Sequence, residues 1–434
     1  MRRMALFLGC ALLFEVLMIA VAPRFRSWSI FHTVRECAAG RLLADSWSYM
    51  AQADAALRRS PADLYERVFF QHQIRFIYPP VSLLLYRGWQ SAASLGVAPF
   101  TALKITLYLC FLGTWLVASE YFLSVASSGR STFSRGQRWF IRLILAALMM
   151  TFLPLINALF LGQVQTILNF FAAASVLLWW KQRRVAAGVL LGLCCWVKPQ
   201  LALFLLWGLL RRQWSFAVSL AAVISAGLVL SVAMFGLHNT VEYGAVLHFL
   251  SLRGDSLFTN QSLNGLLHRL MHVGSPARVI DGYPPFNRTI WLATWASSGL
   301  LLALALFVPP MRRIAGSATD FLIFAMASVM ASPIAWEHHY GVFFLAFLLL
   351  MPTALLRAHT FFLLLSLYLL MSGTWAPLPK LLLLTPWTFT LSHLYYGALG
   401  IFAWLLVAPP RQTTEAAQPT FHSIETGGAA SRLS

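Results

Sequence analysis

The side chains best suited to chemistry in this sequence lie between long apolar stretches. The segment SPIAWEHHYG, residues 332–341, places Glu337, His338 and His339 side by side among apolar neighbours. Two imidazoles can donate hydrogen bonds to an anion such as a phosphate, with the carboxylate as their partner. Adjacent histidines do not pair on one helix face at i and i+4, so we predict no metal site here. The alternative is that both histidines face lipid headgroups.

Lys198 is the second candidate, and it is one of only four lysines in the chain. It lies in GVLLGLCCWVKPQLALFLLWGLL, where apolar residues flank it on both sides. An ionisable side chain at membrane depth costs about 2.5–3.5 kcal/mol on insertion scales and is a functional candidate by default. Pro199 breaks the helix, and such a break can open a polar pocket. The alternative is a lysine that snorkels to the outer interface.

Four carboxylates follow the first apolar stretch, namely Asp45, Asp54, Asp63 and Glu66. In SPAD, Asp63 has the spacing of a helix start, while Asp54 and Glu66 have arginines nearby and are expected to form solvated pairs. Asp45 directly follows the apolar LLA, nearer the membrane boundary, and is the candidate functional acid. Tyr49 shares its predicted helix face.

Polar residues from other loops join the candidate site. FTNQSLNGLLHRL supplies Asn260, Gln261 and Arg269, and the turn LGQ supplies Gln163. NQS matches a glycosylation acceptor pattern, but we interpret its amides as hydrogen-bonding groups. The sequence contains no P-loop, nucleophile elbow, HExxH or Asp-x-Asp motif, and GVLLG at 188–192 is typical of close helix packing.

These residues must be positioned by membrane helices. The chain has 434 residues, of which 59% are hydrophobic and 11% charged, against about 25% charged in soluble domains. Apolar runs of membrane length recur without the alternation of a barrel. The net charge is +18, but the arginines cluster in short loops beside the runs. The positive-inside rule and anionic lipids explain such clusters, so we do not predict a nucleic-acid partner. The cysteines form no disulfide pattern.

Length and charge rules together predict about twelve crossings with both termini cytoplasmic. We interpret MRR and the following apolar run as an uncleaved first span. Residues 1–410 then form one membrane domain, with outer loops at 23–77 and 237–288 and a polar, disordered tail at 411–434. Amphipathic helices are expected in the first loop, where Leu42, Leu43, Trp47 and Met50 make an apolar stripe suited to a membrane surface. Residues 78–95 are expected to be re-entrant or to lie against the bundle.

This topology collects nearly every candidate on one side of the membrane. The outer face receives the loops at 23–77 and 237–288, the turn at 161–165, the break at 196–200 and the segment at 332–341. We therefore predict an extracytoplasmic site in a multi-pass protein of the inner (plasma) membrane.

The ordered motifs resemble glycosyltransferase family 87, the polyprenyl-phosphate-mannose-dependent α-mannosyltransferases with the GT-C membrane fold. The motifs are ADSWSYMAQADAAL with DLYE, YPP beginning at Tyr78, LGQVQTILNFF, AAGVLLGLCCWVKPQ, NQSLNGLLHRL and SPIAWEHHY. The resemblance covers about residues 40–345. The chain departs from the family pattern at Ala335 and Glu337, where Ser and Asp are frequent.

The resemblance implies inverting transfer of a sugar, usually mannose, from a polyprenyl-phosphate donor to a glycolipid or glycan acceptor, without sugar nucleotide, metal or cofactor. By motif position Asp45 would be the general base, and His338 and His339 would lie at the donor phosphate. Lys198 and Arg269 are further cations for the leaving phosphate. Tyr49, Tyr78, Gln163, Asn260, Gln261 and Glu337 are the expected substrate contacts.

Two other functions remain open at the level of sequence. Broken helices and an intramembrane lysine also suit a secondary transporter of a small polar or anionic solute. The long outer loop and the absence of a visible internal repeat argue against it. A GT-C enzyme that transfers a pentose or another hexose is the second alternative.

Overall fold

The computed structural model describes residues 1–21, 29–127, 133–271, 283–372, 382 and 385–407. Within these ranges the chain is helical, and the β-type pairing found there is an isolated antiparallel bridge between Asn260 and Trp336. The prediction of an all-α protein is therefore confirmed for this part of the chain. The predicted tail at 411–434 lies outside the described residues.

The helices are numbered in chain order. The first are α1 Arg2–Val21, α2 Ile30–Ala38, α3 Asp45–Arg59, α4 Leu83–Ser91, α5 Pro99–Ser127, α6 Arg135–Met150, α7 Leu153–Phe160, α8 Gln165–Trp180 and α9 Arg184–Cys195. Then come α10 Leu203–Leu210, α11 Trp214–Phe235, α12 Leu237–Arg253, α13 Leu263–Met271, α14 Arg288–Met311, α15 Ala318–Met330, α16 Phe343–Ala354, α17 Ala358–Ser372 and α18 His393–Val407. Glu66–Gln71 is π-helical, and 3-10 turns occupy Pro80–Ser82, Ala92–Leu95, Pro199–Ala202, Glu337–Val342 and Pro386–Ser392.

Several helices are long and apolar enough to cross a membrane. By length and composition, five such segments occur among the described residues: Arg2–Val21, Pro99–Ser127, Trp214–Phe235, Arg288–Met311 and Pro386–Val407. α6 and α7 would make a sixth if the pair, bent by 68°, forms one span. The chain is thus a polytopic membrane protein, and the figure of about twelve crossings stays a prediction.

The helix after the first apolar stretch packs on the protein itself. The Trp47 ring in α3 lies 4.7 Å from Tyr86 and 6.0 Å from Phe100, between ring centroids, and Met50 is fully buried. Trp47 and Met50 therefore pack on the protein, whereas Leu43 of the same stripe is 48% exposed. The expectation that the stripe lies along the membrane surface stays a prediction for Leu43 alone. α4 has 9 residues, about 14 Å at 1.5 Å per residue, which is too short for a straight crossing of a ~30 Å core.

Two further expectations for this loop are corrected. Asp54 is 2% exposed and accepts hydrogen bonds from Arg58 at 2.9 Å and Arg87 at 2.8 Å. Asp54 therefore belongs to a buried structural ion pair, because Arg87 of α4 shields its carboxylate from water. Ser60 caps the end of α3 rather than the start of a new helix. Asp63 has a φ of 66°, and helical residues resume only at Leu64, so Asp63 is not in the first turn of a helix that begins at SPAD.

The bundle behind the site is closely packed. A Cβ at Gly188 would lie 2.6 Å from the Phe216 carbonyl oxygen, and one at Gly192 would lie 2.7 Å from Val223 Cβ. Small residues let α9 approach α11 at this distance, which confirms the packing role predicted for GVLLG. Deeper in the bundle, Arg211 Nε donates to Asp320 Oδ2 at 2.7 Å and fixes α15 to the end of α10.

Candidate active site

The start of α3 is held against the turn between α7 and α8. Leu43 N donates to Phe160 O at 2.8 Å, and Asp45 N donates to Leu161 O at 3.1 Å. Gly162 has a φ of +66°, and a Cβ there would lie 2.0 Å from the Leu43 carbonyl oxygen. Only glycine accepts this backbone conformation at this crossing without strain. The turn LGQ therefore places its glutamine directly beside the first residue of α3.

Gln163 links the acid to its neighbours. Its Nε2 donates a hydrogen bond to Asp45 Oδ2, and its Oε1 accepts from Ser46 Oγ at 2.6 Å and from the Tyr78 hydroxyl at 3.4 Å. Ser46 Oγ also accepts from Val164 N at 3.0 Å. Because the amide oxygen accepts from two hydroxyls, the amide nitrogen is the end that faces the Asp45 carboxylate. Ser46 was not predicted from the sequence, where it is one of several serines in a polar stretch.

The Asp45 carboxyl is half-buried, and burial raises its pKa above the ordinary value. The hydrogen bond from Gln163 and the positive field of Arg75 act in the opposite direction. Tyr49 lies one turn further along α3, and burial together with the Asp45 charge raises its pKa. Asp45 is thus a carboxylate with increased basicity and a fixed orientation. Arg75 was missed because nothing in QHQIRFIYPP distinguishes it from a surface arginine.

A cavity of about 810 Å³ begins beside this network. Its walls include five of the predicted site residues, namely Tyr78, Gln163, Lys198, His338 and His339. Leu203 and Leu206 of α10 and Trp295 of α14 also line it and are 36%, 47% and 57% exposed. The cavity therefore reaches the outside of the bundle between α10 and α14, where its wall is apolar.

Lys198 lies in the predicted helix break, between the end of α9 and the 3-10 turn at Pro199–Ala202. Its backbone nitrogen donates to Cys194 O at 2.8 Å, which fixes the break. Its ammonium makes no hydrogen bond or ion pair with any residue in the described part of the chain. Burial lowers the pKa of Lys198 well below its ordinary value, and an anionic ligand beside it would stabilise the ammonium form.

The two histidines of WEHHY lie in the 3-10 turn that leads into α16. Their rings are 4.7 Å apart and nearly perpendicular, at 87°, and Trp336 lies 5.8 Å and 5.5 Å from the rings of His338 and His339. Burial, with the nearby Lys198 charge, lowers the pKa of His338 to about 3. A neutral imidazole still donates one N–H, so the pair can donate hydrogen bonds without adding a charge.

Glu337 occupies the other side of this turn and does not line the cavity. Asn157 Nδ2 approaches its Oε2 at 3.4 Å. Burial raises the pKa of Glu337 to about 7, although the Arg269 charge opposes the shift. Its predicted role as a substrate contact stays a prediction, while the position of its carboxyl supports a part in holding the turn.

Asn260, Gln261 and Arg269 lie behind the histidine turn and are absent from the cavity wall. All three are at least 98% buried. Asn260 Nδ2 donates to Pro333 O at 3.0 Å, and its Oδ1 accepts from Ala335 N at 2.9 Å. These contacts join the loop before α13 to the segment that carries the histidines.

The other two residues of this group are also engaged with the protein. Gln261 Nε2 donates to Phe258 O and Leu391 O, both at 2.8 Å. Arg269 Nη1 donates to Leu257 O at 2.9 Å and to Asn260 O at 3.0 Å. These hydrogen bonds hold the segments around the histidine turn, and the substrate and phosphate contacts predicted for the three residues stay predictions.

Asp255 is a further positioning residue that the sequence did not reveal. It is fully buried, and its Oδ2 accepts from Trp336 Nε1 at 3.0 Å and lies 3.9 Å from Arg75 Nη1. This carboxylate connects the segment before α4, which carries Arg75, with the loop after α12 and the histidine turn. In the described ranges no group of three or more His, Cys, Asp and Glu side chains is arranged to hold a metal.

Comparison with known proteins identifies a family and two relatives. The model of glycosyltransferase family 87 matches residues 76–334. A polyprenol-phosphate-mannose-dependent alpha-(1-2)-phosphatidylinositol mannoside mannosyltransferase of Mycobacterium tuberculosis is 26% identical over 275 residues. The protein of the same name from Mycolicibacterium smegmatis is 28% identical over 279 residues.

The matched stretch covers 61% of this chain and 59% of each relative's own length. No solved structure matches this chain.

Proposed function

The chain belongs to glycosyltransferase family 87, and we propose that it transfers mannose from a polyprenyl-phosphate donor to an acceptor hydroxyl, with inversion at the anomeric carbon. The acceptor class is a glycolipid or glycan, and the reaction takes place at the extracytoplasmic face of the inner membrane. The names of its mycobacterial relatives support the donor and a glycolipid acceptor.

The observation that carries this proposal is the set of side chains that line the 810 Å³ cavity. The cavity combines a lysine that has no counter-ion among the described residues, two neutral imidazoles and an apolar opening to the outside of the bundle. A polyprenyl phosphate has the matching chemistry, with an anionic head and a long hydrocarbon tail. Lys198, His338 and His339 bind the phosphate in this proposal, and the tail leaves between α10 and α14.

Asp45 acts as the general base. Its carboxylate accepts the proton of the acceptor hydroxyl while that oxygen forms a bond to the anomeric carbon. The bond between the anomeric carbon and the phosphate oxygen breaks, and its electron pair leaves with the polyprenyl phosphate. Lys198 and the two imidazole N–H groups stabilise the charge that develops on that oxygen. Attack from the side opposite the phosphate produces the inverted linkage.

The two halves of the site are joined by residues seen in the structure. Gln163 and Tyr78 line the cavity, and Gln163 also donates to Asp45. The base is thus one hydrogen bond away from the wall of the donor cavity. In this proposal the sugar lies between the phosphate-binding side chains and the base.

Transfer of labelled sugar tests the proposal directly. Purified protein in lipid is given radiolabelled polyprenyl-phosphate mannose and a membrane lipid extract as acceptor. We expect a labelled product with the wild-type protein and with Glu66→Gln, which changes an exposed carboxylate of the same loop, and none with Asp45→Asn. Product formation by Asp45→Asn would exclude Asp45 as the base. The absence of transfer with wild type, for every lipid-linked sugar tried, would refute the function.

A further inference from the structure

Two amide side chains at the start of α8 have polar atoms that the described structure leaves unsatisfied. Gln165 and Asn169 are one helical turn apart and are only 7% and 6% exposed. Gln165 Nε2 donates to Asn169 Oδ1 at 2.8 Å. The other atom of each amide, Gln165 Oε1 and Asn169 Nδ2, is enclosed and has no hydrogen-bond partner. Buried polar groups in folded proteins are almost always paired, so the two atoms indicate an occupant.

These amides line a small cavity of about 50 Å³ beside the donor cavity. The two cavities share five wall residues, which are Gln165, Lys198, Gln200, Ser328 and His339. The wall beyond the amides is apolar and includes Leu168, Val176, Leu191, Phe204 and Phe321. One water needs roughly 10–15 Å³ of such space. The small cavity therefore exceeds the need of a single water and is too small for a sugar ring.

The two atoms without a partner are one hydrogen-bond donor, Asn169 Nδ2, and one acceptor, Gln165 Oε1. If both amides are rotated by 180°, Asn169 Nδ2 donates to Gln165 Oε1, and one donor and one acceptor again remain open. A hydroxyl group satisfies both, because it donates one hydrogen bond and accepts another. A phosphate oxygen can only accept, and the amide oxygen would repel it. The pair is thus suited to a neutral hydroxyl beside the phosphate-binding side chains.

The position next to Lys198 and His339 restricts which hydroxyl can reach the pair. In a sugar phosphate the phosphate is attached at C1, and C5 is joined to C1 through the ring oxygen. The hydroxymethyl arm on C5 therefore lies near the phosphate end of the ring. It combines an apolar methylene with a hydroxyl, which matches a cavity that has an apolar wall and an amide pair in its lining.

We propose that Gln165 and Asn169 bind the exocyclic hydroxymethyl group of the transferred hexose and thereby select hexoses over pentoses and 6-deoxy sugars. The inference rests on the proposed function and specifies the sugar class at the same site. Gly341 of the histidine turn supports it, since a Cβ there would lie 2.4 Å from Asn169 Oδ1. The turn that carries the phosphate-binding histidines therefore packs directly on the amide pair.

The test uses donors that differ only in this arm. Wild-type protein and the double variant Gln165→Met with Asn169→Leu are given polyprenyl-phosphate mannose, its 6-deoxy analogue, its 2-deoxy analogue and the pentose analogue without the arm. The substitutions approximate the shape of the amides and remove both partners together, so little strain is introduced. Ser175→Ala is the matched control, because Ser175 is a buried polar residue of α8 away from both cavities.

We expect wild type and Ser175→Ala to prefer mannose over the 6-deoxy sugar by roughly 10- to 100-fold in kcat/KM, the range for loss of one partner of buried polar groups. In the double variant this preference falls to within about threefold, while discrimination against the 2-deoxy analogue is unchanged. A preference for mannose over the 6-deoxy sugar that is the same in all three proteins would overturn the assignment. A change confined to the 2-deoxy analogue would overturn it as well, because the pair would then contact a ring hydroxyl.

A binding measurement separates this inference from the proposed function. Each protein is titrated with polyprenyl phosphate that carries no sugar and with polyprenyl-phosphate mannose. If wild type and double variant bind the sugar-free lipid with equal affinity, the variant is folded. If the mannose then increases the affinity less in the variant than in wild type, the result supports the subsite. An unchanged gain from the mannose refutes the subsite but leaves the function standing. If wild type binds neither lipid, the proposed function fails, and the subsite assignment fails with it.

Discussion

Gln163 donates a hydrogen bond from its Nε2 to Asp45 Oδ2, across the contact between the start of α3 and the turn that precedes α8. The same glutamine lines the donor cavity. This single side chain therefore orients the proposed base and forms part of the wall along which the donor lies. Its hydrogen bond stabilises the ionised carboxylate and partly offsets the effect of burial on the Asp45 pKa.

The pH dependence of transfer follows from this bond. Burial raises the Asp45 pKa above 3.8, so activity is present when the carboxylate is ionised and is lost as the pH falls through the raised pKa. In Gln163→Leu the stabilising bond is gone, and the acid limb of the kcat/KM profile should move to higher pH. Profiles of wild type and variant with one donor test this. If the acid limb of the profile is at the same pH in both proteins, it does not report the ionisation of Asp45.

Lys198 should contribute mainly to binding of the donor phosphate. Lys198→Met removes the cation, and a hydrogen bond to a charged group contributes about 1.5–3 kcal/mol, so transfer efficiency should fall roughly 10- to 100-fold. Titration with sugar-free polyprenyl phosphate should show a loss of similar size. Lys181→Met is the control, because this lysine forms an exposed ion pair with Glu120. Equal effects of the two substitutions would contradict a specific role for Lys198.

The two histidines should act as hydrogen-bond donors rather than as cations. We expect a combined His338→Ala and His339→Ala change to abolish most transfer, because both N–H groups near the phosphate are removed. A combined change to Gln keeps an N–H donor at each position and should retain more activity. Initial rates with saturating donor distinguish the two. Full activity of the alanine variant would remove these residues from the site.

Asn260 is expected to affect stability more than catalysis. The fully buried side chain bonds Pro333 O and Ala335 N, so Asn260→Ala leaves buried partners unsatisfied, at about 1–3 kcal/mol for each group. Thermal unfolding in detergent should begin at a lower temperature, while KM for the donor in the folded protein changes little. An increase in KM without loss of stability would instead support the substrate contact predicted from the sequence.

Glu337 should make stability depend on pH. Its pKa is raised from 4.5 to about 7 in the folded protein, so its contribution is fully present below pH 4.5 and is lost as the pH rises through 7. Glu337→Gln cannot ionise and should show a smaller fall in unfolding temperature across this range. Parallel melting curves of wild type and variant at several pH values provide the comparison. If the unfolding temperature falls equally with pH in both proteins, the Glu337 pKa lies near its ordinary value.

The sequence was informative where polar residues interrupt apolar helices. Lys198, His338 and Gln163 each lie at a helix break or turn, and the positive-inside rule predicts that these breaks lie on one face of the membrane. The structure places all three on one cavity wall. Such breaks are visible in a sequence because charged and polar residues are costly at membrane depth and proline lacks a backbone hydrogen-bond donor.

Other features of the site depend on contacts between distant parts of the chain. Gln261, for example, donates to the carbonyl of Leu391, and Asp255 accepts from Trp336. No local pattern reveals whether such side chains face a cavity or the interior of the protein. Helices as short as α10, with 8 residues, likewise fall outside a rule that counts spans by stretches of about 20 apolar residues.

The apolar opening of the large cavity, beside the exposed Leu206 and Trp295, determines how the protein meets its donor. A lipid that enters by this route stays in the bilayer throughout, and its spent carrier returns to the same leaflet. Encounter is then a two-dimensional diffusion problem, and the turnover rate follows the mole fraction of donor among the lipids rather than its amount per volume of suspension. Diluting vesicles with buffer should leave the rate per protein unchanged, whereas diluting the donor with additional phospholipid should lower it.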